Sequence, residues 1–161
     1  MNSAAQNHAK QHAIERRTAR LRAVQALFQM DIGGMGARRV IEEFKENRLE
    51  GVDDTGAEGV ADIALFEKLV RGVVEHQTAI DKAISAHLAK NWRLDRLDAT
   101  VRGILRAASF EILQAPGTPT KVILDEYTDI TGDFFSGPER GFVNAALDAL
   151  ARDERKDVLN A

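Results

Sequence analysis

The chain of 161 residues contains no cysteine, so neither a disulfide nor a thiolate-held metal can form. Prolines number only three, and long stretches are therefore free of the residue that most reliably breaks helices. No run of eighteen apolar residues occurs and no charged-then-apolar leader is visible, so neither a transmembrane helix nor a signal peptide is expected. A cytoplasmic protein without membrane attachment is the resulting expectation.

Catalytic signatures are also missing. Gly33-Gly34-Met35-Gly36 follows a helical pattern rather than a strand and has no Lys-Ser/Thr after it, so it is not a phosphate loop. The serines are Ser3, Ser85, Ser109 and Ser136, none of them in a nucleophile elbow. Asp125 and Glu126 are adjacent, and neighbours on a helix point in different directions. His8 and His12 lie four apart but lack a third ligand nearby. An enzyme is not expected, and neither a catalytic residue, a metal site nor a cofactor is assigned.

What is present is helical periodicity and an uneven charge distribution. Apolar residues recur at spacings of three and four in seven segments, and no strand alternation competes with them. After a polar arm over residues 1–12, the first helix is expected over about 13–31, with Ile14, Leu21, Val24 and Phe28 on one stripe. The second spans about 37–50 with Val40, Ile41 and Phe44. The acidic stretch from Gly51 to Gly59 reads as a solvated connection. A third helix over about 60–76 carries Ile63, Phe66, Leu69, Val70, Val73 and Val74 on a buried face. Thr78 and Asp81 resemble a capping arrangement before a fourth helix bearing Ile80, Ile84 and Leu88. Trp92 and Leu97 are expected to lock the next junction. Asp98 is a candidate N-cap for a fifth helix to about Leu113, and Thr120 for a sixth to about Ile130. Phe134 and Phe135 then read as core residues in a loop over 132–137. Ser136, Pro138 and Glu139 announce a last helix to about 152, followed by a frayed tail over 153–161. The expected fold is all-α: a single seven-helix domain over 13–152 made of two packed helical sub-bundles.

The net charge is −3, but residues 1–30 hold Lys10, Arg16, Arg17, Arg20 and Arg22 against Glu15 alone, so this segment carries +4 and the remainder −7. A local basic patch on an acidic body suits a short nucleic-acid contact. A solvated helix end explains the same charges equally well, and charge alone leaves both readings open. At about 100° per residue, Arg16 and Arg20 fall together away from the apolar stripe, while Arg22 points elsewhere and reads as ordinary surface.

Specific motifs separate these readings. The segment Arg16-Arg17-x-Ala19-Arg20-x-x-Ala23-Val24-Gln25-Ala26-Leu27-Phe28 resembles the opening helix of the NusB family of transcription antitermination factors. Ile104-Leu105-Arg106-x-Ala108-x-Phe110-Glu111-Ile112 is similar to that family's central helix. Pro119-x-Lys121-Val122-Ile123-x-Asp125-Glu126 and Phe142-Val143-Asn144-Ala145-x-Leu147-Asp148 resemble two further runs, in the same order. The resemblance covers about residues 13–152. It implies a non-catalytic adaptor that binds boxA-type single-stranded RNA together with ribosomal protein S-ten (NusE), within the RNA polymerase antitermination complex, and promotes transcription of ribosomal RNA operons. By position it implies RNA contact by Arg16, Arg17, Arg20 and Gln25, and places Phe28, Arg102 and Arg106 with the protein partner. Thr18 stands where some members carry another arginine. A homodimer remains open as the free state. The alternatives are an accessory domain for ribosomal RNA modification, or a helical protein-interaction module without an RNA role.

Overall fold

The computed structural model describes residues 3–47 and 61–155. Among these residues every regular element is helical: α1 (Ser3–Gly33), α2 (Ala37–Asn47), α3 (Ile63–Glu75), α4 (Gln77–Ala86), a short 3₁₀ turn (Leu94–Arg96), α5 (Ala99–Gln114), α6 (Thr120–Phe134) and α7 (Glu139–Glu154). The chain divides into two compact units, Met1–Arg71 and Gly72–Ala161, with the division inside α3. The expected all-α, seven-helix architecture is observed. The acidic connection expected over 51–59 lies outside the described residues.

In the first unit, α1 pairs with α2. Gly34 ends α1 in the left-handed conformation, φ 69°, and its N–H donates to the Met30 carbonyl at 3.0 Å; glycine takes this conformation without a Cβ clash. Phe44 and Phe66, both fully buried, stack with ring centroids 5.6 Å apart and tie α2 to α3. Each such ring contributes about 2–3 kcal/mol of transfer free energy. Asp62 caps α3 by accepting from the Leu65 N–H at 3.0 Å, while its own N–H donates to the Glu15 carbonyl at 3.0 Å.

The second unit is built on α5, which packs against α4, α6 and α7, while α6 pairs with α7. Asp98 caps α5 as expected, its carboxylate accepting from Thr100 N at 2.8 Å and Val101 N at 3.3 Å. Gly72 is required by close approach: a Cβ there would stand 2.2 Å from the Phe110 ring, and Phe110 is itself buried. Beneath α6, the Tyr127 hydroxyl donates to the buried Glu111 carboxylate, giving that charge the partner it needs away from water.

Several expectations are corrected. Residues 3–12, read as an irregular arm, form the exposed first turns of α1. Thr78 and Asp81 do not cap α4, whose N-cap is His76 without a side-chain bond; Asp81 is engaged elsewhere, as described below. Thr120 is the first residue of α6 rather than its cap, and α7 starts after Pro138 without a side-chain cap. The loop read over 132–137 is shorter, because α6 runs on through Phe134. Phe134 is 39% exposed rather than core, and Phe135 is half-buried. Leu97 is buried as expected, but Trp92 is 54% exposed, and Ile63 and Val74, placed on the buried face of α3, are 38% and 43% exposed.

The largest correction concerns the C-terminal tail. α7 continues to Glu154, and Arg155 behind it is buried. Its Nε donates to Ile112 O at 2.9 Å; one terminal nitrogen donates to Thr118 O and Thr120 Oγ1 at 2.6 and 3.2 Å, and the other to Glu111 O and Ala115 O at 2.9 and 2.8 Å. A guanidinium has five N–H groups, and all five are used. Glu111 O and Ala115 O also accept from the backbone N–H groups of Ala115 and Thr118, each at 3.0 Å, so the guanidinium gives these carbonyls a second bond and supplies the Ile112 carbonyl at the end of α5 with a donor. Arg155→Met is therefore expected to lower the unfolding free energy by about 3 kcal/mol or more, since hydrogen bonds to a charged group are worth about 1.5–3 kcal/mol and those of the whole guanidinium are lost together. Urea unfolding followed by circular dichroism checks this; a loss below about 1 kcal/mol contradicts the assignment.

Candidate nucleic-acid interface

The basic helix carries its arginines in two environments. Arg16 and Arg17 are half-buried near the point where α1 leaves the core. Thr18, one residue on, bonds back to the Ile14 carbonyl at 2.8 Å, so it offers no cation where a third arginine could have stood. Arg20 is 2% exposed and Arg22 9%. The expected separation of an apolar stripe from an open basic face therefore fails beyond Thr18. From Ala19 to Leu27 every residue except Gln25 is buried, as in a helix surrounded on all sides. Ile14, placed on the apolar stripe, is instead 44% exposed.

Gln25 is half-buried, and its side-chain oxygen accepts from Arg22 at 2.8 Å, three residues away. This pair answers the need of a polar group near a core seam for a partner. It also removes Arg22 from the ordinary surface to which its helical angle assigned it. The accessible cations of the arginine motif are thus Arg16 and Arg17, with Gln25 partly accessible and Arg20 enclosed.

The residues expected on the protein-partner side are largely committed within the fold. Arg106 forms a two-pronged pair with Asp81 at 2.8 and 2.9 Å, joining α5 to α4. Arg102 donates to the carbonyls of Leu94 and Leu97 at 3.1 and 2.8 Å and closes the 3₁₀ turn. Both guanidiniums act as internal braces. Phe28 is half-buried. His87 is likewise a brace: Nδ1 lies 2.8 Å from the Ala83 carbonyl and Nε2 3.2 Å from Asp153.

A second concave feature lies wholly in the 72–161 unit and has no counterpart in the sequence reading. Trp92, Leu97, Val101, Pro138 and Phe142, with Arg96, Asp98 and Glu139 at its edges, line a groove of about 330 Å³. Trp92 and Phe142 meet there with ring centroids 5.3 Å apart and planes inclined by 56°. Among the described residues no helix is long and apolar enough to cross a membrane.

An all-helical fold with an arginine-bearing first helix and an aromatic groove defines a helical binding protein. The NusB family model matches residues 17–152, and the chain belongs to the NusB family. The transcription antitermination protein NusB of Maricaulis maris (strain MCS10) is 51% identical over 142 residues, covering 88% of this chain and 89% of that protein. That of Caulobacter vibrioides (strain ATCC 19089 / CIP 103742 / CB 15) is 49% identical over 140 residues, covering 87% and 94%. Among solved structures, T. maritima NusB superposes with a TM-score of 0.74 at 28% identity, over 91% of this chain and 97% of that one. The antitermination factors NusB and NusE in complex with dsRNA include a chain of the same fold, with a TM-score of 0.71 at 23% identity, over 85% and 96%.

The internal role of Arg106 has a measurable consequence. Arg106→Ala leaves Asp81 partly buried without its counter-ion and is expected to cost about 2 kcal/mol of stability, somewhat below the range for fully buried pairs because the Asp81 side chain is 29% exposed. Asp81→Asn together with Arg106→Gln should recover part of that loss. Thermal melting of the single and double variants separates this from a surface role, in which both would melt like the parent.

Proposed function

We propose that the chain is a non-catalytic transcription antitermination factor that binds RNA through the start of α1 and acts in the cytoplasm together with NusE, ribosomal protein S-ten. The observation that carries the RNA half is the placement of Arg16 and Arg17: they are partly open to solvent, adjacent, and borne on a helix whose next turns are locked into the core. Preorganised guanidiniums of this kind donate to phosphates and stack on or hydrogen-bond unpaired bases, the way single-stranded RNA is usually read. The names of the curated relatives supply the antitermination role, and the complex of NusB with NusE and dsRNA supplies the partner class.

On this reading the RNA is boxA-type and single-stranded, and its affinity for this chain alone is low. Two or three phosphate contacts give a logarithmic salt slope of only about −1.4 to −2, at roughly 0.7 per contact. A second protein that holds the same transcript raises binding through effective concentration without any new contact by this chain. Arg20 then serves the interface from inside, by fixing the helix that presents its neighbours.

Arg16→Ala with Arg17→Ala is expected to weaken binding to a boxA-containing RNA and to reduce the magnitude of the salt slope by about 1.4, while leaving the chain helical. Arg20→Ala should instead lower the melting temperature. Fluorescence titration at several salt concentrations, with and without S-ten, checks both; unchanged RNA affinity in the double variant would sink the RNA assignment.

A further inference from the structure

The first turns of α1 are a feature that packing does not account for. α1 begins at Ser3, and every residue from Ser3 to Ile14 is exposed. About 18 Å of helix therefore stands clear of the core, at roughly 1.5 Å per residue. The family model matches residues 17–152, and this arm lies ahead of the matched segment. A helix of that length is marginal in water by itself; here it continues from turns already nucleated in the core, and its alanines, Gln6, Lys10 and Gln11 favour propagation. Burial contributes nothing to the arm, so its side chains are all available for contact.

The chemistry of those side chains narrows what the arm can touch. Between Ser3 and Ala13 there is no acidic residue and no apolar side chain larger than alanine. A helix that enters a protein groove needs large apolar anchors, and one that lies on a membrane needs an apolar face; the arm has neither. It presents Lys10 and the amides of Gln6, Asn7 and Gln11, the donor types that contact phosphate and sugar, with the imidazoles of His8 and His12 beside them. Their placement continues the arginine pair. At about 100° per residue, Lys10 and Gln6 each fall within about 20° of Arg17, while His12 stands one turn before Arg16 on the neighbouring row. Lys10 lies about 10 Å and Gln6 about 16 Å along the axis from Arg17. Ala9 and Ala13 separate the two rows, and their short side chains let a strand lie close to the helix.

We propose that the exposed arm of α1 lengthens the RNA track: a single strand held at Arg16 and Arg17 continues along the arm, with Lys10 on a phosphate and Gln6 and His12 donating to the sugar–phosphate backbone. The proposal rests on the RNA half of the reading above and deepens it, by assigning contacts to nucleotides outside the element that the arginines hold. Because these contacts are to the backbone, the arm adds affinity without sequence preference. The track stays one helix wide and gains a single cation, so binding by this chain alone remains weak.

The test titrates the full chain with two fluorescein-labelled single-stranded RNAs, one limited to boxA and one extended by unstructured nucleotides on both sides. The parent should bind the extended RNA about fivefold more tightly than the short one, the scale of one exposed hydrogen bond, whatever the sequence of the added nucleotides. Lys10→Gln should remove most of that gain and reduce the magnitude of the salt slope on the extended RNA by about 0.7, with the short RNA, S-ten binding and melting unchanged. Lys10→Arg, which keeps the charge, should retain both gain and slope. If the added nucleotides bring no gain, or Lys10→Gln keeps the parent's gain and slope, the arm is overturned. If Lys10→Gln weakens S-ten instead of RNA, the arm belongs to the protein partner and the proposal is overturned. A loss in Lys10→Gln beside an Arg16→Ala, Arg17→Ala variant that binds like the parent overturns the arginine reading and supports the arm; the reverse pattern overturns the arm alone. Failure of the parent to bind either RNA overturns both.

Discussion

The end of α5 is the constraint on which the second unit depends. A helix that stops inside a protein leaves its last carbonyls facing other groups instead of water, and each unsatisfied one opposes folding. The carbonyls of Glu111, Ile112 and Ala115 all accept from a single side chain, Arg155, which arrives from the far end of α7, the first and last in addition to the backbone N–H groups of Ala115 and Thr118. The same guanidinium holds Thr118 and Thr120 at the start of α6. One cation therefore fixes the close of one helix, the turn that follows it and the opening of the next. Because α5 also carries Glu111, bonded to Tyr127 of α6, and Arg106, bonded to Asp81 of α4, its orientation sets those of its neighbours.

A parallel economy governs α1, where charge is placed inside the structure as well as on it. Arg20 and Arg22 are nearly as enclosed as the leucines beside them, and Arg22 is joined to Gln25. A run of arginines can thus look like one electrostatic surface and yet divide its members between support and contact. Long side chains permit this, since their carbon stems pack with the core while the head groups seek acceptors. On the proposed reading the RNA interface is narrow: Arg16 and Arg17 lie where the helix emerges, next to the buried turns after Thr18.

How far the sequence could be read follows from how far apart the interacting groups lie. Helix positions are legible because apolar spacing is a local property; Phe44, Phe66, Val70 and Ile84 are buried as their periodicity indicates. The Asp98 cap is legible for the same reason, since its partners are two and three residues away. Arg155 is not: it follows a charged stretch that resembles a fraying tail, and its partners lie 35 to 44 residues earlier. Arg106 and Asp81 are 25 residues apart, so their pairing is invisible to any local pattern, and each invites a different role when read alone. The candidate site shows the same limit. Helical angles place Arg16 and Arg20 together, but only tertiary packing reveals that Arg20 is enclosed while Arg16 is partly open. The Trp92–Phe142 groove joins residues fifty positions apart in sequence, and so has no local signature beyond the exposed tryptophan itself.

The uneven distribution of charge takes on a physical meaning in this light. Residues 1–30 carry +4 and the rest of the chain −7, so the two classes of partner are sorted by long-range attraction before any contact forms. On the proposed reading a polyanion approaches the start of α1, and a basic protein approaches the acidic remainder. Neither contact needs to be strong. Two modest interactions on one chain, each directed at a different component of the same assembly, raise the local concentration of both components together. The small number of exposed arginines is then part of how the chain works, because a stronger cation patch would bind any RNA at hand and lose the dependence on the second protein that makes assembly selective.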